Sequence, residues 1–177
     1  MSNQRPQVHF NNEEVCGPCL YSEYKHKMVD WDKREKELEE LCNKYRKEDG
    51  SWDVIVPVSG GKDSHWQVIK CLEYGLNPLA VTWKSPVRTK LGDDNLKNLV
   101  ELGVDHIDYQ VNPQVERKYM YQALVRYGST AIPMHMAMFN IPPKIAVRFD
   151  IPLIVWGENS AFEYGSVDDE HKGFKLN

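Results

Sequence analysis

The stretch Asp53-Val54-Ile55-Val56-Pro57-Val58, Ser59-Gly60-Gly61-Lys62-Asp63-Ser64, His65-Trp66-Gln67-Val68-Ile69-Lys70-Cys71-Leu72 decides the fold. Its first part is a continuous apolar run, the pattern of a strand buried on both faces of a parallel sheet. Its last part has helical spacing. A tight glycine loop separates them, so the order is strand, loop, helix. Such a loop presents backbone N–H groups at a helix N-terminus, where the partial positive charge favours an anion. Gly60 and Gly61 are expected to take backbone angles closed to other residues and to let a phosphate approach closely. Ser59 and Ser64 add hydroxyl donors, and Lys62 adds a cation. Asp63 would be out of place in a site for anions alone. A carboxylate beside phosphates suits Mg²⁺, which takes oxygen ligands and few of them from protein. The bland alternative is a glycine turn before a helix capped by Asp63 or Ser64.

The rest of the chain repeats the same alternation. Pro78-Leu79-Ala80-Val81-Thr82-Trp83 reads as a second strand, giving one βαβ unit with the first. Asn95 to Leu102 reads as a helix stopped by Gly103. Asp105 to Val111 reads as a third strand, alternating and so nearer an edge. Gln114 to Tyr127 reads as a helix stopped by Gly128. Ile132 to Phe139 and Lys144 to Phe149 read as separate helices, because Pro142-Pro143 interrupts. Ile151 to Gly157 reads as a fourth strand. The expectation is an α/β fold, a doubly wound and mostly parallel sheet, with ligands beyond the strand C-termini where strand order reverses. Ahead of it, residues 1–50 are expected to form an extension of an arm, a Cys-x-x-Cys knuckle and a helix from Asp30 to Lys47. Residues 51–177 form the α/β domain.

Three strand ends carry candidate residues. The first delivers the loop. The second delivers Thr82 and Trp83; packing of Trp83 in the core or at its rim is the equal alternative. The fourth delivers Glu158, Asn159, Glu163 and Tyr164, polar side chains bunched after an apolar strand and so placed for a substrate. A solvated turn is the alternative there. His106 and His135 read as structural, and Cys71 as a small core residue.

The formal net charge of −4 gives no bulk attraction for nucleic acid. No apolar run approaches a membrane span and Met1 to Pro6 has no signal-peptide core, so the chain reads as cytoplasmic. Cys16-Gly17-Pro18-Cys19 is a knuckle whose two sulfurs can reach one Zn²⁺. A structural zinc needs four ligands, for which His26 and Cys42 are the nearby candidates. A redox pair and a turn with two reduced cysteines remain open as well.

The Ser-Gly-Gly-x-Asp-Ser loop resembles the PP-loop of ATP pyrophosphatases, a superfamily with an adenine nucleotide alpha hydrolase-like fold. A closer resemblance comes from Gly75-Leu76-Asn77-Pro78-Leu79, Asn95-Leu96-Lys97-Asn98-Leu99, Ile151-Pro152-Leu153-Ile154-Val155-Trp156-Gly157-Glu158-Asn159 and Glu163-Tyr164-Gly165. Together with the loop, these are similar to the N-acetyl sugar amidotransferase family of surface-polysaccharide (lipopolysaccharide) and nonulosonate pathways. The resemblance implies that ATP adenylates the acetamido oxygen of a sugar. Ammonia, from a separate glutaminase, then replaces that oxygen to leave an acetamidino group. It implies that Ser59, Gly60, Gly61, Lys62 and Ser64 hold the phosphates, that Asp63 holds Mg²⁺, and that Thr82 and Trp83 meet the adenosine. Glu158, Asn159, Glu163 and Tyr164 are then placed at the sugar or nucleotide. Lys62 and Asp63 carry the catalytic assignment. Members carry an earlier Cys-x-x-Cys that would complete a four-sulfur zinc site with Cys16 and Cys19; that pair is absent here. Members are also longer, so a truncated or reduced form is expected. The rivals are another PP-loop enzyme, such as a tRNA sulfur transferase or an amidating ligase, and a non-catalytic nucleotide-binding module.

Overall fold

The computed structural model describes residues 10–157, which fall into two compact units, residues 10–37 and Leu38–Gly157. The division lies inside the second helix rather than at residue 50.

In the first unit the Cys-x-x-Cys knuckle is the start of a helix, α1 (Gly17–Lys27), with Cys16 as its N-cap and Pro18 in its first turn, where a missing N–H removes no helical bond. Of the expected arm, the described residues begin at Phe10, which forms an isolated antiparallel bridge with Cys16; residues 1–9 lie outside the described residues. Next comes α2 (Trp31–Tyr45), which begins where Asp30 Oδ1 accepts from the Lys33 N–H at 3.0 Å, as its sequence position foretells.

The second unit is built on β1 (Val54–Pro57), α3 (Lys62–Glu73), β2 (Pro78–Trp83), α4 (Lys90–Val100), β3 (Asp105–Tyr109), α5 (Pro113–Tyr127), α6 (Ala131–Phe149) and β4 (Leu153–Ile154). The strands form one sheet in the order β3-β2-β1-β4, every neighbouring pair parallel. Alternate residues of β1 enter two different cores. Val54, Val56 and Val58 join Val68 and Cys71 of α3, Leu96 and Leu99 of α4, and Cys42 of α2. Ile55 joins Leu79 and Val81 of β2 and Ile141, Ile145 and Ala146 of α6. The sheet is therefore doubly wound, and each fully buried aliphatic side chain contributes about 2 kcal/mol of transfer free energy. The chain steps from β1 out to β3 and returns to the other side of β1 with β4. Strand order thus reverses beside β1, where α/β sheets open a crevice for ligands.

Several bounds change: β3 ends at Tyr109 rather than Val111, β4 is Leu153–Ile154 rather than Ile151–Gly157, and two helix expectations are altered. α4 starts at Lys90 rather than Asn95, because Thr89 Oγ1 accepts from the Gly92 N–H at 3.1 Å and caps a turn that Gly92 had disguised. The two helices foreseen around Pro142-Pro143 are one helix, α6, with both prolines inside it. Pro142 is buried with Ile141, Ile145 and Ala146 against the sheet, and that packing outweighs the lost N–H bonds. No helix among the described residues is long and apolar enough to cross a membrane.

The entry to β1 is fixed by a buried carboxylate. Asp53, 1% exposed, accepts from the backbone N–H groups of Lys47 and Asn77, each at 2.6 Å, and its own N–H donates to Asn77 O. It joins the approach to β1 to the start of β2. Asp53→Ala strands two donors in the interior, so the unfolding free energy should fall by about 3 kcal/mol in urea titration. Asp53→Asn, which keeps one acceptor, should lose less.

Candidate functional site

β1 ends at Pro57, and the chain reaches α3 through Val58-Ser59-Gly60-Gly61. Gly60 has φ +82°, the left-handed region that other residues enter at a penalty. It is also hemmed in, since a Cβ there would stand 3.1 Å from Leu96 Cγ and 3.4 Å from Gly92 O of α4. Gly61 differs from the expectation. Its φ of −75° and ψ of 172° are open to any residue, and a Cβ would meet only Ser59 Oγ at 3.5 Å. Only Gly60 is demanded by backbone angle; the absent side chain of Gly61 keeps the loop's outer surface low.

Neither Asp63 nor Ser64 caps α3. The N-cap is Gly61, no side chain caps the helix, and Lys62, Asp63 and Ser64 form its first turn. Their N–H groups have no carbonyl one turn earlier to bond, so they face outward with the helix dipole behind them. Ser64 is buried and turns its hydroxyl back into the loop. It accepts from the Ser59 N–H at 3.0 Å and lies 3.3 Å from Ser59 Oγ. Ser59 Oγ in turn lies 3.4 Å from the Gly61 N–H. The two serines therefore shape the loop from inside. Lys62 and Asp63 reach outward as a 2.6 Å ion pair, with side chains 88% and 76% exposed. At such exposure the pair is worth little to stability, and both charges stand ready for a ligand. The arrangement offers amides and an ammonium to an anion and a carboxylate to a cation.

The loop is held from beneath. Val58 N–H donates to Val81 O, and Thr82 Oγ1 donates to Val58 O at 2.8 Å, tying the loop's first residue to β2. Thr82 has one hydroxyl proton and gives it to Val58, so His106 Nε2, 2.9 Å from Thr82 Oγ1, is the donor of that contact. His106 thus carries its proton on Nε2. Behind it, Arg88 forms a bidentate pair with Asp108, at 2.6 and 2.8 Å, and lies 3.4 Å from Asp93. Burial pushes His106 below the usual imidazole value, with Asp108 raising it and Arg88 lowering it. Thr82, chosen from sequence as a nucleotide contact, is buried with its hydroxyl committed to this support. Trp83 is half-buried against the Ile55 and Val81 side of the sheet, and its indole N–H is enclosed without a partner.

Sequence reasoning passed over two residues here. His106 is structural as expected, but its role in steadying the loop shows only in the Ala80↔His106 and Thr82↔Asp108 register. Gln67 is buried one turn beyond Ser64, and its carbonyl oxygen has no hydrogen-bond partner. The signal was the i,i+3 spacing, which sets Gln67 on the face of α3 that Ser64 presents to the loop. Glu158, Asn159, Glu163 and Tyr164 lie outside the described residues.

In the first unit Cys16 is buried and Cys19 exposed. The Cys19 N–H and then its thiol hydrogen-bond Cys16 and pull that thiol below its ordinary value, while Cys19 is raised by Cys16. His26, a candidate zinc ligand from sequence, sits in the last turn of α1, at the opposite end from the two cysteines. Cys42 belongs to the core around β1, and burial pushes its neighbour Cys71 up to about 12. Among the described residues no three of His, Cys, Asp or Glu gather in a group fit for a metal ion. All four cysteines are free thiols.

No family model matches the chain. An uncharacterized protein of Methanocaldococcus jannaschii is 23% identical over 99% of this chain and 62% of that relative. Two solved structures share the architecture. NMN synthetase from Francisella tularensis has a TM-score of 0.52 at 19% identity, over 80% of this chain and 56% of that one. The NH3-dependent NAD synthetase of Campylobacter jejuni has a TM-score of 0.50 at 17% identity, over 75% of this chain and 58% of that one. The chain has the α/β fold of these synthetases. It spans less than two thirds of the length of each.

Two outcomes test this geometry. Gly60→Ala should lower the unfolding free energy by about 2 kcal/mol, from the left-handed angle and the Leu96 contact, and Gly61→Ala by less than about 1 kcal/mol. Equal losses in urea titration would refute the distinction. His106, held below its ordinary 6.5, is outcompeted for protons by the unfolded chain as pH falls. Its contribution is therefore complete above that pH and fades below it. His106→Gln should flatten that decline between pH 7.5 and 5.5.

Proposed function

We propose that this chain is an ATP-dependent, AMP- and pyrophosphate-forming amidotransferase of the PP-loop ATP pyrophosphatase kind. Its substrate is the acetamido group of an N-acetylated sugar. The observation that supports it is the uncapped start of α3, where outward amides meet Lys62 and Asp63 beside β1, at the reversal of strand order. The likeness to an NH3-dependent NAD synthetase lends support to chemistry that uses ammonia.

The residues fit a triphosphate. The amides at the loop and Lys62 neutralise the pyrophosphate end, and Ser59 and Ser64 fix the loop's shape before any ligand arrives. Asp63 is a single exposed carboxylate, which suits Mg²⁺, an ion that keeps waters and phosphate oxygens as its other ligands. Bound there, Mg²⁺ supplies charge neutralisation on the phosphates. An amide oxygen is a poor leaving group. When it attacks the α-phosphorus, the new C–O–P link forms and the α–β anhydride bond breaks, releasing pyrophosphate. Ammonia then adds to the imidate carbon, AMP departs, and an acetamidino group remains. No protein nucleophile is required; the protein positions and stabilises charge. Trp83 serves the adenosine, and Glu158, Asn159, Glu163 and Tyr164 serve the sugar or nucleotide. A separate glutaminase supplies the ammonia, and the setting is surface-polysaccharide synthesis in the cytoplasm.

A second reading, a PP-loop tRNA sulfur transferase, is favoured by the Cys16 thiol, which its hydrogen bonds to Cys19 hold toward the thiolate. Pyrophosphate release from Mg·ATP separates the readings. Dependence on ammonium and a sugar from a panel of N-acetylated nucleotide sugars supports the amidotransferase, and dependence on tRNA the sulfur transferase. Nucleotide binding without release points to a non-catalytic module. Lys62→Ala and Asp63→Ala should each lower kcat/KM about 100-fold. Unchanged Mg·ATP affinity in both variants would overturn the nucleotide site.

A further inference from the structure

The amide of Gln67 is wedged between α3 and the end of β4. Gly157 follows β4 by three residues, and a Cβ there would overlap Gln67 Nε2 and stand 2.8 Å from its Cδ. The absence of a side chain at Gly157 is what admits the amide. Val155 N–H donates to Ile55 O, so this end of β4 is bound against β1, at the place where strand order reverses. Helical side chains lean toward the helix N-terminus, so Gln67 leans toward the phosphate loop from one turn below Ser64. It is 7% exposed, and Oε1 is buried with no partner. Interiors rarely leave a strong acceptor in that state, and an exception calls for a physical reason.

We infer that Gln67 is a substrate-contacting residue of the crevice beside β1, its Oε1 accepting a hydrogen bond from the N–H of a neutral nitrogen, either ammonia or an amide. Neutrality decides the class. A carboxylate at this point would favour ammonium, which has no lone pair to attack with, and would repel the phosphates next door. A carbonyl oxygen accepts an N–H without stabilising added positive charge. This inference rests on the amidotransferase reading for its choice of nitrogen, and on Gln67 and Gly157 for its place.

The test uses the full chain, saturated with Mg²⁺ and α,β-methylene-ATP, and follows the side-chain amide resonance of Gln67, assigned by its loss in Gln67→Met. Acetamide is titrated in one arm. Ammonium chloride at pH 9 is titrated in the other, against equal potassium chloride. A saturable shift in one arm is expected and identifies the source of the N–H; in Gln67→Met the response of the Gly157 amide to that same probe should weaken about tenfold. No shift beyond the salt control in either arm overturns the inference. Gln67→Met keeps the side chain's length and removes the unpartnered Oε1 together with Nε2, so if Gln67 is kept for a ligand its melting midpoint without ligand should be unchanged or higher. A large drop would give Gln67 a structural role and equally overturn the inference. Failure of Gln67→Met to fold counts as that drop. Failure of the parent reading is seen separately, as amides of Gly60 and Gly61 that do not respond to the nucleotide.

Discussion

Burial of β1 on both faces is the constraint from which the site follows. Val54, Ile55 and Val56 are wholly enclosed. A strand apolar on every side chain needs a layer on each face and a neighbour on each edge, and the chain supplies α3 and α4, α6, β2 and β4. Backbone groups so deep must all be paired, which leaves no slack in β1. The chain leaves this enclosure beyond the C-terminal end of β1, at the exposed Ser59, and α3 begins three residues later at Lys62. Rigidity below and openness above are thus consequences of one apolar run.

The anchoring beneath the loop is made from nearly neutral parts. Thr82 and His106 fix Val58 through hydrogen bonds alone, and the bidentate ion pair of Arg88 with Asp108 is set back behind His106. Burial keeps the imidazole toward its neutral form. A charged support directly under the loop would compete with Lys62 and the helix dipole for an incoming anion. A neutral one fixes position and leaves the field at the mouth to the residues that meet the ligand.

Much of this was readable in the residues because the strongest signals coincide with the buried middle of the sheet. β2 spans Pro78–Trp83 as read, and the edge position of β3 follows from the alternation of Asp105 to Tyr109. What sequence reasoning missed depends on distant partners. The first turn of α4, read as starting at Asn95, begins at Lys90, which shows only once Thr89 is seen capping it. Pro142 and Pro143 read as a boundary until the packing of α6 on the sheet is seen to outweigh their local preference. Gly60 and Gly61 look equivalent in a motif, and only α4 and the backbone angles tell them apart. Gln67 was given no role from sequence; the room its amide occupies depends on Gly157, ninety positions away in the chain.

Gly157 and Gln67 also explain why the end of β4 is built as it is. A larger residue after Trp156 would close the gap between α3 and β4 with its own side chain and complete the packing there. Glycine instead leaves that volume to an amide whose oxygen remains unpaired. Two small departures from good packing, an absent side chain and an unpartnered acceptor, fall together at the strand-order reversal and beside an uncapped helix start. Each of the two weakens the fold slightly, as does the uncapped helix start, and a domain selected for stability alone would fill all three. Their coincidence beside β1, while the rest of that strand is sealed, is the pattern of a surface shaped to be completed by a ligand.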